Sequence, residues 1–158
     1  MAKETRGIRN CNPGNIRKGC NWKGLRCFQK DPDFCQFTHM LWGLRALCVT
    51  LRTYVRVHKR KNVSLIIQRW APPEDHNNTV AYIDRCAKGI GNEICHDALT
   101  LEREKRDTGL NYEFTMADFA LKDGKPSDAM YGLVKTMCLV ESGYKLSRLE
   151  LAAAIKAM

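Results

Sequence analysis

One carboxylate in this sequence sits where a helix would leave it between an apolar interior and water. In the segment Met130-Tyr131-Gly132-Leu133-Val134-Lys135-Thr136-Met137-Cys138-Leu139-Val140-Glu141-Ser142-Gly143-Tyr144, residues Met130, Val134, Met137 and Glu141 recur at i, i+4, i+7 and i+11. On a helix that spacing puts them on one stripe. The stripe is apolar until its last member, and Gly143 supplies the left-handed residue that ends a helix. A carboxylate at the edge of an apolar surface is poorly solvated, which favours its protonated form. A carboxyl that keeps its proton near neutral pH is what a general acid needs to protonate an oxygen leaving group. By periodicity alone, the plainer reading of a carboxylate emerging into water is the favoured one.

Other polar residues qualify more weakly. Glu74 follows Pro72-Pro73 in a stiff loop, where a carboxylate can activate water or bind sugar as readily as sit solvated. Asp31 and Asp33 form Asp-Pro-Asp, a common turn sequence that would place a second carboxylate in a hairpin. The amides of Asn12, Asn15, Gln36 and Asn78 suit N-acetyl groups, although turn asparagines usually serve the backbone. Trp22, Trp70, Tyr82 and Tyr144 offer faces for sugar rings, against the usual fate of aromatics in a core. His39, His58, His76 and His96 lack metal-ligand spacing, so no metal site is expected. Neither a phosphate-cradling glycine loop nor a Gly-x-Ser-x-Gly nucleophile motif occurs, and no cofactor is called for.

The elements that must position these groups are mostly helices. Residues 7–37 are rich in Gly, Asn, Pro and Cys, with short alternating pieces, and read as a loop and small β-hairpin turning near Gly19, Gly24 and Asp31-Pro32. A helix is expected from about Met40 to His58, with Leu44, Leu47, Cys48, Leu51 and Val55 on one face. Ser64 is a candidate cap for a short helix ending at Trp70 before the prolines. Asn78 or Thr79 caps a helix to Lys88, with Gly89 at its end. The charged stretch 100–111 reads as a solvated helix or insertion, and Asp123-Gly124 as a turn. Ser127 caps the Glu141 helix, and Ser147-x-x-Glu150 is a capping box for the last one. The expected class is α+β, mostly helical, in one domain over 1–158: a β-rich lobe at 7–37 and a helical body at 38–158.

At 158 residues, 44% hydrophobic and 27% charged, the chain is neither disordered nor fibrous. No stretch approaches the roughly 20 apolar residues of a membrane span. The polar start lacks a signal-peptide core, so synthesis in the cytoplasm is expected. A net charge of +9 calls for an anionic partner such as nucleic acid, a membrane surface or a cell-wall polymer. The eight cysteines show no paired CxxC, and Cys48, Cys86 and Cys138 fall on apolar faces as buried free thiols.

Leu139-Val140-Glu141-Ser142-Gly143-Tyr144 resembles the A-L-E-S-G-W element of lysozyme-superfamily glucosaminidases and lytic transglycosylases. Arg9-Asn10-Cys11-Asn12-Pro13-Gly14-Asn15-Ile16-Arg17, then Trp22-Lys23-Gly24, Phe34 and Phe37, resemble that family's N-N-x-F-G-I-K segment, W-x-G hairpin and aromatic stretch. Trp70-Ala71-Pro72-Pro73-Glu74 with Thr79-Val80-Ala81-Tyr82-Ile83 is similar to the region closing the family's cleft. In the family the Glu helix precedes the hairpin, whereas here it follows, and circular permutation reconciles the two orders. The opening and the W-A-P-P-E segment also look like small phage and prophage virion or lytic proteins.

The resemblance implies a permuted lysozyme-like fold that cleaves the β-1,4 glycan of peptidoglycan, as a hydrolase or a lytic transglycosylase. Glu141 would be the acid, with Glu74 a second catalytic candidate. Asn12, Asn15, Asp31, Gln36, Trp70, Asn78, Tyr82 and Tyr144 would bind substrate. The expected protein is a monomer that reaches the wall through a holin, by lysis or in a virion. The rival expectation is a basic phage structural or nucleic-acid-binding protein without activity, resting on Arg52, Arg56, His58, Lys59, Arg60 and Lys61.

Overall fold

The computed structural model describes residues 3–158 and is mostly helical. Seven α-helices are present among the described residues: α1 (Arg6–Arg9), α2 (Met40–Arg56), α3 (Val63–Trp70), α4 (Thr79–Ile94), α5 (Glu102–Asn111), α6 (Asp128–Ser142) and α7 (Arg148–Lys156). Two 3₁₀ turns, Pro73–Asp75 and Met116–Phe119, link them. No helix is long and apolar enough to cross a membrane among the described residues.

Helix α6 is the centre of the core. Ala129 to Val134, Thr136 to Cys138 and Ser142 are buried, and only Asp128, Lys135 and Leu139 to Glu141 reach the surface. Its start is fixed as its sequence implies, by Ser127 Oγ accepting from Met130 N at 3.1 Å. Its closest backbone neighbour is α4. A Cβ on Gly132 would meet Gly89 O at 2.6 Å and Ile90 Cα at 2.7 Å, so only glycine lets the two backbones come this near.

That crossing explains a departure from the expected boundaries. Helix α4 was expected to stop at Lys88, but it continues through Gly89 and Gly91 to Ile94. Here the glycines mark tight packing, Gly89 beneath Thr136 and Gly91 against the Lys105 carbonyl, rather than a helix end. For the same reason α5 is a packed helix and not a detached charged insertion: Gly109 is buried against Ala87 O. The apolar face Met130, Val134, Met137 and Cys138 was expected to lie on α2. It enters the same core, but α6 runs along α4 while α2 packs on α7, where Arg45 Nε donates to Ala157 O at 2.9 Å. The short helix before the prolines is capped by Asn62, whose Oδ1 accepts from Leu65 N, and not by Ser64. Cys48, Cys86 and Cys138 are buried free thiols, and burial pushes the Cys48 thiol up to about 12.

The largest correction concerns residues 7–37. In place of a β-hairpin there are isolated antiparallel bridges, Arg17 with Phe34 and Leu25 with Phe37, so the lobe carries no strand ladder among the described residues. The physical reason is that its side-chain amides take the backbone's partners. Asn12 Nδ2 donates to Ile16 O and Cys35 O, and its Oδ1 accepts from Ile16 N. Gln36 Oε1 accepts from Lys30 N at 2.6 Å and Asp31 N at 3.2 Å, while its Nε2 donates to Asn10 Oδ1. Asn10 Nδ2 donates in turn to Asp31 Oδ2 at 3.0 Å, and Asp31 Oδ1 accepts from Asp33 N and Phe34 N. Asn10, Asn12 and Gln36 are buried.

These backbone donors, with Asn10 and Arg6 beside them, hold the Asp31 carboxyl down at about 2. Because its folded value lies below the unfolded one, Asp31 stabilises the fold fully above about pH 4, the ordinary carboxyl range, and loses that contribution as pH falls towards 2. Wild type should therefore lose thermal stability across that window. Asp31→Asn should start lower and fall less steeply there, which thermal melts at stepped pH will read. Parallel curves would remove Asp31 from the lobe's acid sensitivity.

Candidate active site

Glu141 occupies the last turn of α6, half-buried, next to buried Ser142 and before Gly143, whose φ of 73° ends the helix. Two donors converge on one of its carboxyl oxygens. Trp70 Nε1 donates to Oε1 at 3.1 Å, and Tyr82 OH donates to the same oxygen at 3.1 Å. Trp70 is the last residue of α3, stopped there by Pro72 and Pro73. Tyr82 lies in the first turn of α4, whose cap Asn78 accepts from Ala81 N at 3.2 Å. The connecting loop is closed by Thr79 Oγ1 donating to Ala71 O at 2.6 Å, which sets the spacing between indole and phenol.

The third side of the site is the N-terminal lobe. Asn15 Nδ2 donates to the Glu141 carbonyl at 2.7 Å, Ser142 Oγ donates to Pro13 O at 2.9 Å, and Thr5 Oγ1 donates to Ser142 O at 2.7 Å. Gly7 is buried at this junction, where a Cβ would stand 2.5 Å from that of Ser142.

The electrostatics give each group a role. Burial pushes the Tyr82 phenol far above its ordinary value, and the neighbouring Glu141 charge pushes it further. Tyr82 therefore stays protonated and donates. The two donors occupy Oε1, while Oε2 makes no hydrogen bond among the described residues. The arrangement is a carboxyl fixed at one oxygen and available at the other.

The sequence-derived candidates separate into two sets. Glu141, Trp70, Tyr82 and Asn15 come together. Asn12, Gln36 and Asp31 are committed to the lobe's internal bonds, and Asn78 to capping α4. Tyr144 OH donates to Glu150 Oε2, so it braces the start of α7. Glu74 is exposed in the loop between Trp70 and Tyr82 and makes no hydrogen bond or ion pair among the described residues. Sequence reasoning missed Thr5 and the Ser142 hydroxyl, which tie the lobe to α6 over separations of more than 120 residues; no local spacing signals such contacts. Surface hollows of about 560 Å³ on α5, around Glu104, Asp107 and Tyr112, and about 310 Å³ along the α4–α6 seam, around Arg85, Lys88 and Lys135, do not include Glu141.

No protein-family model matches the chain. It is 39% identical over 90 residues to Protein P5 of Pseudoalteromonas phage PM2. The chain is similar to a phage protein. The matched stretch is 54% of this chain and 56% of the phage protein, so the chain spans little more than half of that curated relative.

Asn15 has φ of 49°, a left-handed conformation that costs an ordinary residue about 1–2 kcal/mol and glycine almost nothing. Asn15→Gly should lose only the bond to Glu141 O, whereas Asn15→Ala loses the bond and strains the backbone. Chemical denaturation should find the alanine variant less stable than the glycine one by roughly 1–2 kcal/mol. Equal stabilities would mean that the loop relaxes freely at this point.

Proposed function

We propose that this chain cleaves the β-1,4 glycan of bacterial peptidoglycan, with Glu141 as general acid, in a permuted lysozyme-like domain used in phage-type lysis of the cell wall. One observation carries the reading. Three segments resemble parts of the same enzyme family; two of them meet at one carboxyl oxygen, Glu141 of E-S-G-Y with Trp70 and Tyr82 of the W-A-P-P-E and T-V-A-Y-I region, and the third reaches the Glu141 carbonyl through Asn15. Chance resemblance has no reason to bring residues 59 and 71 positions apart to one atom.

The permutation reading draws support from the junction at the end of α6. In the family the Glu helix runs on into the hairpin. Here the segment packed against Ser142 is residues 5–15, so the spatial succession is kept although the chain breaks between them. Similarity to a phage protein fits the lytic setting. Delivery to the wall would come through a holin, by lysis or in a virion.

In the proposed reaction, the Oε2 proton passes to the glycosidic oxygen as its bond to C1 breaks. The carboxylate that remains is held by Trp70 and Tyr82 at Oε1. It then accepts a proton from the attacking hydroxyl, which restores the acid. If the attacker is water the product is a reducing end. If it is the sugar's own C6 hydroxyl, the product is a 1,6-anhydro sugar lighter by one water. Trp70, Tyr82 and Asn15 are the only side chains in hydrogen-bond contact with Glu141 among the described residues, and either attacker is compatible with them; the mass of the released fragments separates the two routes.

The test is release of soluble fragments from purified sacculi, analysed by mass. Glu141→Gln should fold normally and lose on the order of 10²–10⁴ of the rate. Glu74→Gln should lose distinctly less, because its carboxyl stands apart in an exposed loop. Near-wild-type turnover by folded Glu141→Gln would end the assignment. A greater loss at Glu74 would move the acid to that loop.

A further inference from the structure

The positive charge of this protein is concentrated in one part of the chain. Residues 1–73 hold 15 Lys and Arg against 3 Asp and Glu, whereas residues 74–158 hold 11 against 14. Between Asp33 and Glu74 there is no acidic residue at all, and seven cations. Six of those seven belong to the C-terminal half of α2, the following loop and the end of α3: Arg52, Arg56, Lys59, Arg60, Lys61 and Arg69. Contacts join the three pieces. Arg69 Nη2 lies 3.2 Å from His58 Nε2, the Arg69 guanidinium stands 5.1 Å over the Tyr54 ring, and Lys59 Nζ donates to Arg56 O at 2.8 Å.

Among the described residues, this set has a single ion pair, Lys61 with Glu113 at 3.9 Å. Some cations elsewhere are matched, as Lys88 and Arg106 are at Asp84 and Arg148 is at Glu93 and Asp128, and what sets this patch apart is the absence of any acid between Asp33 and Glu74 in the sequence that builds it. Unmatched like charges crowded on one surface oppose folding and are relieved by a polyanion. The patch and the proposed site share α3, where Arg69 immediately precedes Trp70.

We propose that this patch is a docking surface for the anionic groups of the cell-wall polymer, holding the glycan beside Glu141; the partner rests on the glycan-cleaving reading. The surface chemistry separates this partner from other polyanions. Tyr54 is half-buried and covered by Arg69, so the patch offers no free ring for stacking nucleobases. Val57 is its one exposed apolar side chain, too little to anchor in a lipid surface. What remains is a set of point charges suited to repeated carboxylates, which the stem peptides carried by the cleaved glycan supply.

The experiment is co-sedimentation of the Glu141→Gln protein, which leaves its target intact, with purified sacculi over a range of salt. Adding Arg56→Gln, Lys59→Gln and Lys61→Gln should weaken binding by about 100-fold, at roughly fivefold per charge, and flatten its salt dependence. Neutralising Lys122, Lys125 and Lys156 instead changes net charge equally and should leave binding within about twofold. Thermal melts check that both triple variants are folded.

Sacculi stripped of phosphate polymers by hydrofluoric acid should bind as tightly as untreated ones, and lost binding on stripping overturns docking on the stem-peptide carboxylates. Equal weakening by the two triple substitutions, or tighter binding to duplex DNA or to anionic vesicles than to sacculi at the same salt, overturns it. Turnover by wild type is read separately on sacculi. Turnover without patch-dependent binding overturns docking alone, and patch-dependent binding without turnover removes the glycan-cleaving reading.

Discussion

A buried helix that ends inside a protein leaves its last carbonyls without partners, and α6 is such a helix. Its C-terminal turn cannot rely on water, because Ser142 is buried and the lobe lies over it. The partners come from the other end of the chain: Asn15 for the Glu141 carbonyl and Thr5 for that of Ser142, while the Ser142 hydroxyl itself donates to Pro13 O and Cys138 O. Each of these contacts serves backbone satisfaction first. Together they fix the direction in which the Glu141 side chain leaves the helix, and every statement about the site depends on that direction. The cost of an unmet buried carbonyl, about 1–3 kcal/mol, binds residues 5–15 to a helix more than 120 positions away.

Given that direction, the site is balanced by two opposing influences. The apolar stripe of α6 removes solvent from one side of the Glu141 carboxyl. Trp70 and Tyr82 return two hydrogen bonds to Oε1, and both come from groups that remain donors, an indole N–H and a deeply buried phenol. Fixing one oxygen by two neutral donors leaves the other without a hydrogen bond among the described residues, an asymmetry that apolar surroundings alone would not create.

Glu141, its helix and both helix caps were legible in the sequence because they follow from local rules: i, i+4, i+7, i+11 spacing, a serine at each start and a glycine at the end. Trp70 and Tyr82 were legible as aromatics at helix ends, though they were read as sugar platforms, and the structure makes them donors to the carboxyl. What the sequence hid has one physical character. Gly89 and Gly91 look like helix stops until a second backbone is found against them. Asn10, Asn12 and Gln36 look like surface or ligand-binding amides until they are found buried, satisfying backbone that a hairpin ladder would otherwise have paired. In each case the deciding partner is remote in the chain, so no window of neighbouring residues contains the information.

The replaced ladder also accounts for how so basic a lobe folds. Residues 7–37 contain few large apolar side chains, and Ile16, Cys35 and Phe37 are the lobe's members of the core. A small apolar core contributes little at roughly 25 cal/mol per Å² of buried apolar area, and a strand pair alone is marginal. Neutral amides supply most of the order inside, Asn12 meeting three backbone groups and Gln36 two, while Asn10 links Gln36 to Asp31. The cations are left to the outside, where Arg6 and Arg17 stand 4.9 and 4.7 Å from the Phe34 ring and Lys23 lies over Trp42 at 5.1 Å. Asp31, 3.7 Å from Arg6, is the one carboxylate built into this network, so order in the lobe comes from amides and a single acid, and the cations of residues 7–37 make no ion pair among the described residues.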